Sequence, residues 1–303
     1  MPMISIDLHM HSYYSDDGEF SPIELVHRCS KAGIRIMAVS DHNSARANEE
    51  ASQEAALHGI HYIPAIEMDC VYKGLNLHIL GYGINYRSPD FQKVEENVTA
   101  QEATASQERL RLTRQLGFDI DESELHALSS ARPYCKDAWT GEMFAEVLLA
   151  REEYHDSEIL KPYRPDGPRG DNPLLNFSWD YYAQGKPCHT KIYYPSFEEC
   201  LAIIHSNGGK AVLAHPGNNL RGRWEILDQI VPFGLDGIEA FSNYHQRSES
   251  EYFYQKGRAL NLMIVCGSDF HGKTKPTVRL GECGCFADEH EIEAGLIQAG
   301  LLS

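Results

Sequence analysis

His9 and His11 stand two residues apart at the end of the apolar run 4–8, and Asp16 and Asp17 follow closely in SYYSDDGEF. Alternate residues of an extended strand share a face, so the two imidazoles point the same way. A tight turn accounts for Asp17-Gly18, but not for paired imidazoles. Similar residues recur wherever an apolar run ends: Asp41 and His42 in SDHN, Glu67 in EMD, His78 in LNLHILGYG, His215 in LAHPG, and Asp269 with His271 in GSDFHG. His9 and His11 are placed to hold one metal ion, which Glu67 and Asp269 would complete. Six histidines (His9, His11, His42, His78, His215, His271) and three carboxylates (Asp16, Glu67, Asp269) exceed what one ion needs. They suit two or three, with Glu67 bridging. Mixed imidazole and carboxylate donors fit divalent Mn, Fe or Zn. Clustered divalent ions serve hydrolysis, because they acidify bound water and clamp phosphoryl oxygens.

Residues spread from 9 to 271 converge only if the fold gathers strand ends, and the pattern supplies such a fold. SPIE opens a helix with Ser21 as N-cap, Pro22 in the first turn and Glu24 closing a capping box, and Gly33 stops it. Strands at 34–40, 61–67 and 75–83 follow, with a helix over ARANEEASQEAALHG and a turn at Lys73-Gly74. From about 88 to 187 the character changes to polar helical patterns (90–116, 121–130, 140–150) and the irregular KPYRPDGPRGDNP. This stretch reads as an inserted cap. Alternation then resumes with a second capping box, Ser196 and Glu199, strands in KAVLAHPG, LDGIEAFS and LMIVCGSDFHG, and helices near 223–231 and 247–260. About seven strands alternating with helices predict a parallel α/β sheet, open or closed, whose C-terminal strand ends form one rim. The remaining histidines, among them His27, His58 and His189, lack this placement and read as structural or solvated.

Net charge is −17, which argues against broad binding to nucleic-acid backbones. No apolar run reaches the length of a membrane span, and MPMISIDLHMH lacks the form of a signal peptide, so a soluble cytoplasmic protein is expected. The eight cysteines follow no disulfide or zinc-site spacing and read as reduced thiols.

The segments DLHMHSYYSDDGEFSP, AVSDHN, IEMD with HILGY, LAHPG and GSDFHG stand in the order found in the PHP (polymerase and histidinol phosphatase) family, which the chain resembles. The resemblance implies a distorted (β/α)7 barrel, residues 1–87 and 188–303, with a mainly helical cap at 88–187. It implies three metal sites: His9, His11, Glu67 and Asp269; Asp16, His42 and His271; and Glu67, His78 and His215. It points to a branch that dephosphorylates nucleoside 3′,5′-bisphosphates, trims 5′ ends of RNA, or opens cyclic ribose phosphodiesters. Two departures stand out. The branch commonly has Ser-Asp-Gly where this chain has Ser-Asp-Asp-Gly, leaving Asp17 to compete with Asp16. Its cap Arg-x-His becomes Arg132-Pro-Tyr134.

The expected chemistry is hydrolysis of a small phosphate ester by a hydroxide bridging two or three divalent ions, with Asp269 in the catalytic centre and His245 of SNYH as the acid for the leaving group. Asp41 would orient an imidazole. Asn218, Arg221 and Arg223 of HPGNNLRGR, Asp17, and Arg132 with Lys136 of the cap would meet substrate. Partners are then a phosphorylated nucleotide or sugar, or a short 5′-phosphorylated RNA. The competing readings are an amidohydrolase cleaving C–N bonds, a non-catalytic PHP binding module, and a nuclease acting on long chains.

Overall fold

The protein, seen here in a computed structural model, is described for residues 4–130 and 137–302. Its first third alternates as expected: β1 (Ile6–Asp7), α1 (Pro22–Ala32), β2 (Ile36–Met37), α2 (Ala47–Leu57), β3 (His61–Tyr62). The Ser21–Glu24 capping box forms in both directions, and Gly33 closes α1 at φ 77°. β1, β2 and β3 pair in parallel. The single strand expected over 61–67 is broken at Pro64, which has no N–H to give a ladder. Beyond it β4 (Ala65–Tyr72) starts a second sheet with β5 (Leu75–Tyr82).

That sheet corrects the expectation of purely parallel strands. β4 and β5 are antiparallel, in register from Ala65↔Tyr82 to Tyr72↔Leu75. Lys73 and Gly74 between them have φ of 47° and 78°, a two-residue turn whose positive φ values impose a hairpin. Helices α3 (Pro89–Gln115), α4 (Glu122–Ser129), α5 (Gly141–Ala150) and α6 (Pro173–Tyr181) come next. After α7 (Phe197–Ser206), β6 (Lys210–Leu213) returns antiparallel to β5. The short α8 (Pro216–Leu220) and α9 (Ile226–Ile230), then β7 (Gly237–Ser242), α10 (Arg247–Ala259), β8 (Met263–Gly267) and α11 (Glu289–Gln298) complete the chain, with β6, β7 and β8 parallel.

The ladders therefore define two sheets, of three and five strands, and not one closed barrel. They touch at both margins. Met10 bridges Phe270, Leu8 N–H donates to the Cys266 carbonyl at 3.1 Å, and His42 bridges Glu67. Each junction lies beside an expected metal-binding residue. The inner faces of the sheets and their covering helices form two adjoining apolar clusters, built on Ile6, Leu77 and Val212 and on Met10, Val26 and Met37. A third cluster, including Trp139, Phe144 and Phe177, draws only on residues between Leu110 and Cys188. The described cysteines are buried and unpaired. No helix among the described residues is long and apolar enough to cross a membrane.

Candidate metal centre

Glu67, fully buried near the start of β4, organises the centre. Its Oε2 lies 3.1 Å from His9 Nε2, 3.3 Å from His11 Nε2 and 3.3 Å from His42 Nδ1. Its Oε1 lies 3.1 Å from both His78 Nδ1 and His215 Nε2. One carboxylate thus faces two separate imidazole groups. Asp269 Oδ1 closes the first, 3.2 Å from His9 Nε2 and 3.0 Å from His11 Nε2. A further set gathers His11, His42, His271 and Asp17, whose Oδ2 is 2.9 Å from His271 Nε2. Asp69, two residues beyond Glu67 on the same face of β4, puts Oδ1 3.1 Å from His78 Nε2. His27, Glu54 and His58 form a separate, more exposed set on α1, α2 and the C-cap of α2.

Local backbone geometry sets these directions. Asn43, His215 and Asp269 have φ of 53°, 21° and 54°, conformations costly for residues with a Cβ and concentrated here at one place. Gly267 lets β8 approach the first strand segment: a Cβ there would stand 2.2 Å from the Cβ of His9. Gly18 has the matching role in SDDG, where a Cβ would meet the Ser12 carbonyl oxygen at 2.0 Å. Outer groups orient the rings. His9 Nδ1–H donates to Glu239 at 2.9 Å, and Glu239 also accepts the His215 backbone N–H at 2.6 Å. His271 Nδ1–H donates to the Asp269 carbonyl at 2.9 Å. In each case the other nitrogen faces inward, the orientation a metal-binding histidine requires.

The donor set fits divalent cations. His9 Nε2 and His11 Nε2 face each other at 3.1 Å, while Nδ1 of His9 is committed to Glu239. His42 Nδ1, Asp269 Oδ1 and His271 Nε2 are buried and make no aligned hydrogen bond, although an opposing group lies within 3.3 Å of each. Such atoms converge on a common point and not on one another. Burial pushes the Glu67 carboxyl upward, but His9, His42 and His78 outweigh it and hold it well below the usual carboxylate range. Asp269 is likewise well below that range: burial opposes ionisation, and Lys275, His9 and His271 overcome it. The anions in turn overcome burial to raise His9 well above the ordinary value and His42 to about 10, while burial with His271 and His42 lowers His11 to about 4. Protons on His9 and His42 here offset negative charge that divalent ions would offset otherwise.

Asp17, His42, Asp69, His78, His215 and Asp269 line a cavity of about 1080 Å³, together with residues of α3, α5 and α6. Asn218 and Arg221 line it; Arg223 is exposed and does not. Asp16 also lines it, outside the set made by His11, Asp17, His42 and His271. Arg132 and Lys136 lie outside the described residues. His245 is placed differently from an acid: its Nε2 accepts the Gly217 N–H at 3.0 Å and its Nδ1–H donates to the Ala240 carbonyl at 3.1 Å. Burial lowers its pKa to about 4, so it is neutral, and with both nitrogens bound to backbone it has no proton free for a leaving group. Asp41 also departs from expectation. It accepts from Ser12 N–H at 2.5 Å and Ser12 Oγ–H at 2.7 Å, and Glu239 is the carboxylate that holds an imidazole. Glu239, Asp69, Tyr244, Lys275 and Trp179 of α6 are not singled out by the sequence. Only the first two carried a signal: an acid inside an apolar strand, and an acid at same-face spacing from Glu67.

A cavity floored by clustered imidazoles and carboxylates, on this fold, defines a metal-dependent hydrolase of phosphate esters. The chain belongs to the PHP domain family, whose model matches residues 7–164, just over half of its length. It is 29% identical over 273 residues to a 3′,5′-nucleoside bisphosphate phosphatase of Chromobacterium violaceum, covering 89% of this chain and 88% of the relative. It is 27% identical to a 5′-3′ exoribonuclease of Haemophilus influenzae, over 88% and 89% of the two chains. A solved structure from Bifidobacterium adolescentis, whose description as a metal-dependent phosphoesterase is itself an inference, shares the fold with a TM-score of 0.77 at 22% identity, over 98% and 97% of the chains. The relatives' names favour phosphate esters over C–N bonds as the target.

Proposed function

We propose that this chain hydrolyses small phosphorylated nucleotides or ribose phosphates, with a nucleoside bisphosphate as the leading substrate class. The observation carrying this reading is Glu67, whose two oxygens face two imidazole groups beneath a cavity with room for a nucleotide. In this reading the first ion is held by His9, His11, Glu67 and Asp269. His42, His271 and an aspartate hold a second, and Glu67, His78 and His215 a third. Bound divalent ions supply acidified water and charge neutralisation at phosphorus.

The protein's own groups do the rest. Glu239 holds His9 in one tautomer, and Asp69, itself accepting from Asn43 at 2.6 Å, holds His78. Arg221 and Asn218 stand where a phosphate enters. On the cap side, Lys186 and Lys191 line the cavity, while Arg109 there is already paired with Glu102. The two lysines suit a second phosphate, or the 5′-phosphorylated end of a short RNA. The same reading takes the two sheets as halves of a distorted (β/α)7 barrel, 1–87 and 188–303, and takes 88–187 as a cap with its own apolar cluster.

The test is phosphate release by the manganese-loaded protein from nucleoside 3′,5′-bisphosphates, cyclic ribose phosphates and short 5′-phosphorylated RNAs. At least one class should be turned over, and Asp269→Asn should cut turnover by about a hundredfold or more. Near-parental turnover in that variant, or no release from any class, would defeat the reading.

A further inference from the structure

Lys275 is an ammonium buried among groups that hold cations. It follows the short turn Gly272–Thr274 after β8, its side chain is 5% exposed, and it lines the cavity. Its Nζ donates to Asp269 Oδ2 at 2.5 Å and to the Tyr244 phenol oxygen. The two oxygens of Asp269 are therefore divided: Oδ1 faces His9 and His11, and Oδ2 is taken by Lys275. Tyr244 is itself held, its ring edge-on to His215 with centroids 5.2 Å apart and 5.6 Å from the Trp179 ring.

A fixed positive charge here opposes the binding of divalent ions and consumes half of a ligating carboxylate. Burying an ammonium is costly in itself. Both costs are offset if an anion completes the site. An ammonium has three N–H donors. Among the described residues, Asp269 and Tyr244 account for two of them, and Lys275 lines the cavity.

Resting on the phosphoesterase reading above, we propose that Lys275 is a phosphate-binding residue, its third N–H donating to a non-bridging oxygen of the phosphoryl group in the cavity. Asp269 and Tyr244 hold the ammonium in place, so the charge is in position before substrate arrives. Such a contact exists in the bound substrate as well as during reaction, and it lowers KM more than it raises kcat.

The test uses the manganese-loaded full chain and inorganic phosphate as probe, with affinity measured by titration calorimetry and bound metal by mass spectrometry. Lys275→Gln is expected to keep the parent's metal equivalents while phosphate binding weakens about 10- to 100-fold, with KM rising in step. Lys275→Arg, which keeps the charge, should recover most of that loss. If the glutamine variant does not fold, Lys275→Met keeps the buried stem and carries the same expectation. Parental phosphate affinity in the neutral variant would overturn the proposal. So would a loss of affinity fully explained by lost metal, because Lys275 would then only position Asp269. A parent chain that holds metal but neither binds phosphate nor releases it from esters would instead remove the functional reading itself.

Discussion

Asp17 and Asp16 differ by one position, and the difference decides which carboxylate reaches His271. Asp17 Oδ2 is 2.9 Å from His271 Nε2, and Ser15 Oγ–H donates to its other oxygen at 2.7 Å. We expect Asp17→Asn to lose about one metal equivalent per chain and Asp16→Asn to keep the full complement; mass spectrometry of the purified variants distinguishes them. His245 makes a prediction of a different kind. Its folded-state pKa, about 4, lies below the ordinary histidine value, so folding favours the neutral ring. That contribution is complete above about pH 6.5 and is lost as pH falls toward 4; its upper bound is about 3 kcal/mol. His245→Gln should therefore be less stable than the parent at pH 7, by about 1–3 kcal/mol. The gap should close in urea titrations toward pH 4. The ligand-type histidines were legible because they follow or interrupt apolar runs, although only His78 lies within a strand. The choice between Asp16 and Asp17 was not, because a turn has no such pattern. Lys275 and Tyr244 follow strands β8 and β7 in irregular segments, where residue type alone says little about what a side chain meets.

Elements deliver these residues through close approaches that small residues permit. Gly267→Ala would set a Cβ 2.2 Å from His9 Cβ, and both are backbone-anchored atoms. We expect a loss of about 1–3 kcal/mol in urea unfolding, together with weaker metal retention, because β8 must move away from His9. An alanine variant as stable and as metal-rich as the parent would contradict this. Helices α1, α3, α4, α5 and α10 lie close to where capping and periodicity put them. The antiparallel β4–β5 pair was half legible: Lys73-Gly74 signalled a turn, yet the strand–helix alternation around it implied parallel strands. Helix α6 was missed. Asn172-Pro173 does read as a helix start, but it follows a Pro- and Gly-rich loop and the helix has only nine residues. It matters because Trp179 on α6 meets Tyr244 over the site.

The whole molecule concentrates buried carboxylates at the place where its sheets meet. Glu67, Asp69, Glu239 and Asp269 are buried and crowd together, in a chain whose net charge is −17. Cations that bind only the folded form stabilise it by mass action, about 2.7 kcal/mol at a hundred times Kd. Chelation should therefore lower Tm by several degrees in scanning calorimetry and abolish phosphate release, and added Mn²⁺ should restore both. Unchanged melting after complete metal removal would mean that protonated histidines balance the centre equally well. One apolar cluster draws only on residues between Leu110 and Cys188, apart from the two built on the sheets, and residues from that stretch also line the cavity.

Sequence alone determined which residue types gather at strand ends, and hence the class of chemistry, because strand periodicity and the apolar runs are local properties of the chain. Only the tertiary structure decided that Glu67 divides its oxygens between two imidazole groups, that Asp17 meets His271, that Glu239 holds His9, and that Lys275 claims half of Asp269. Those pairings join residues as far apart in sequence as Asp17 and His271. They depend on how two sheets approach and on three left-handed backbone conformations, which no local pattern encodes.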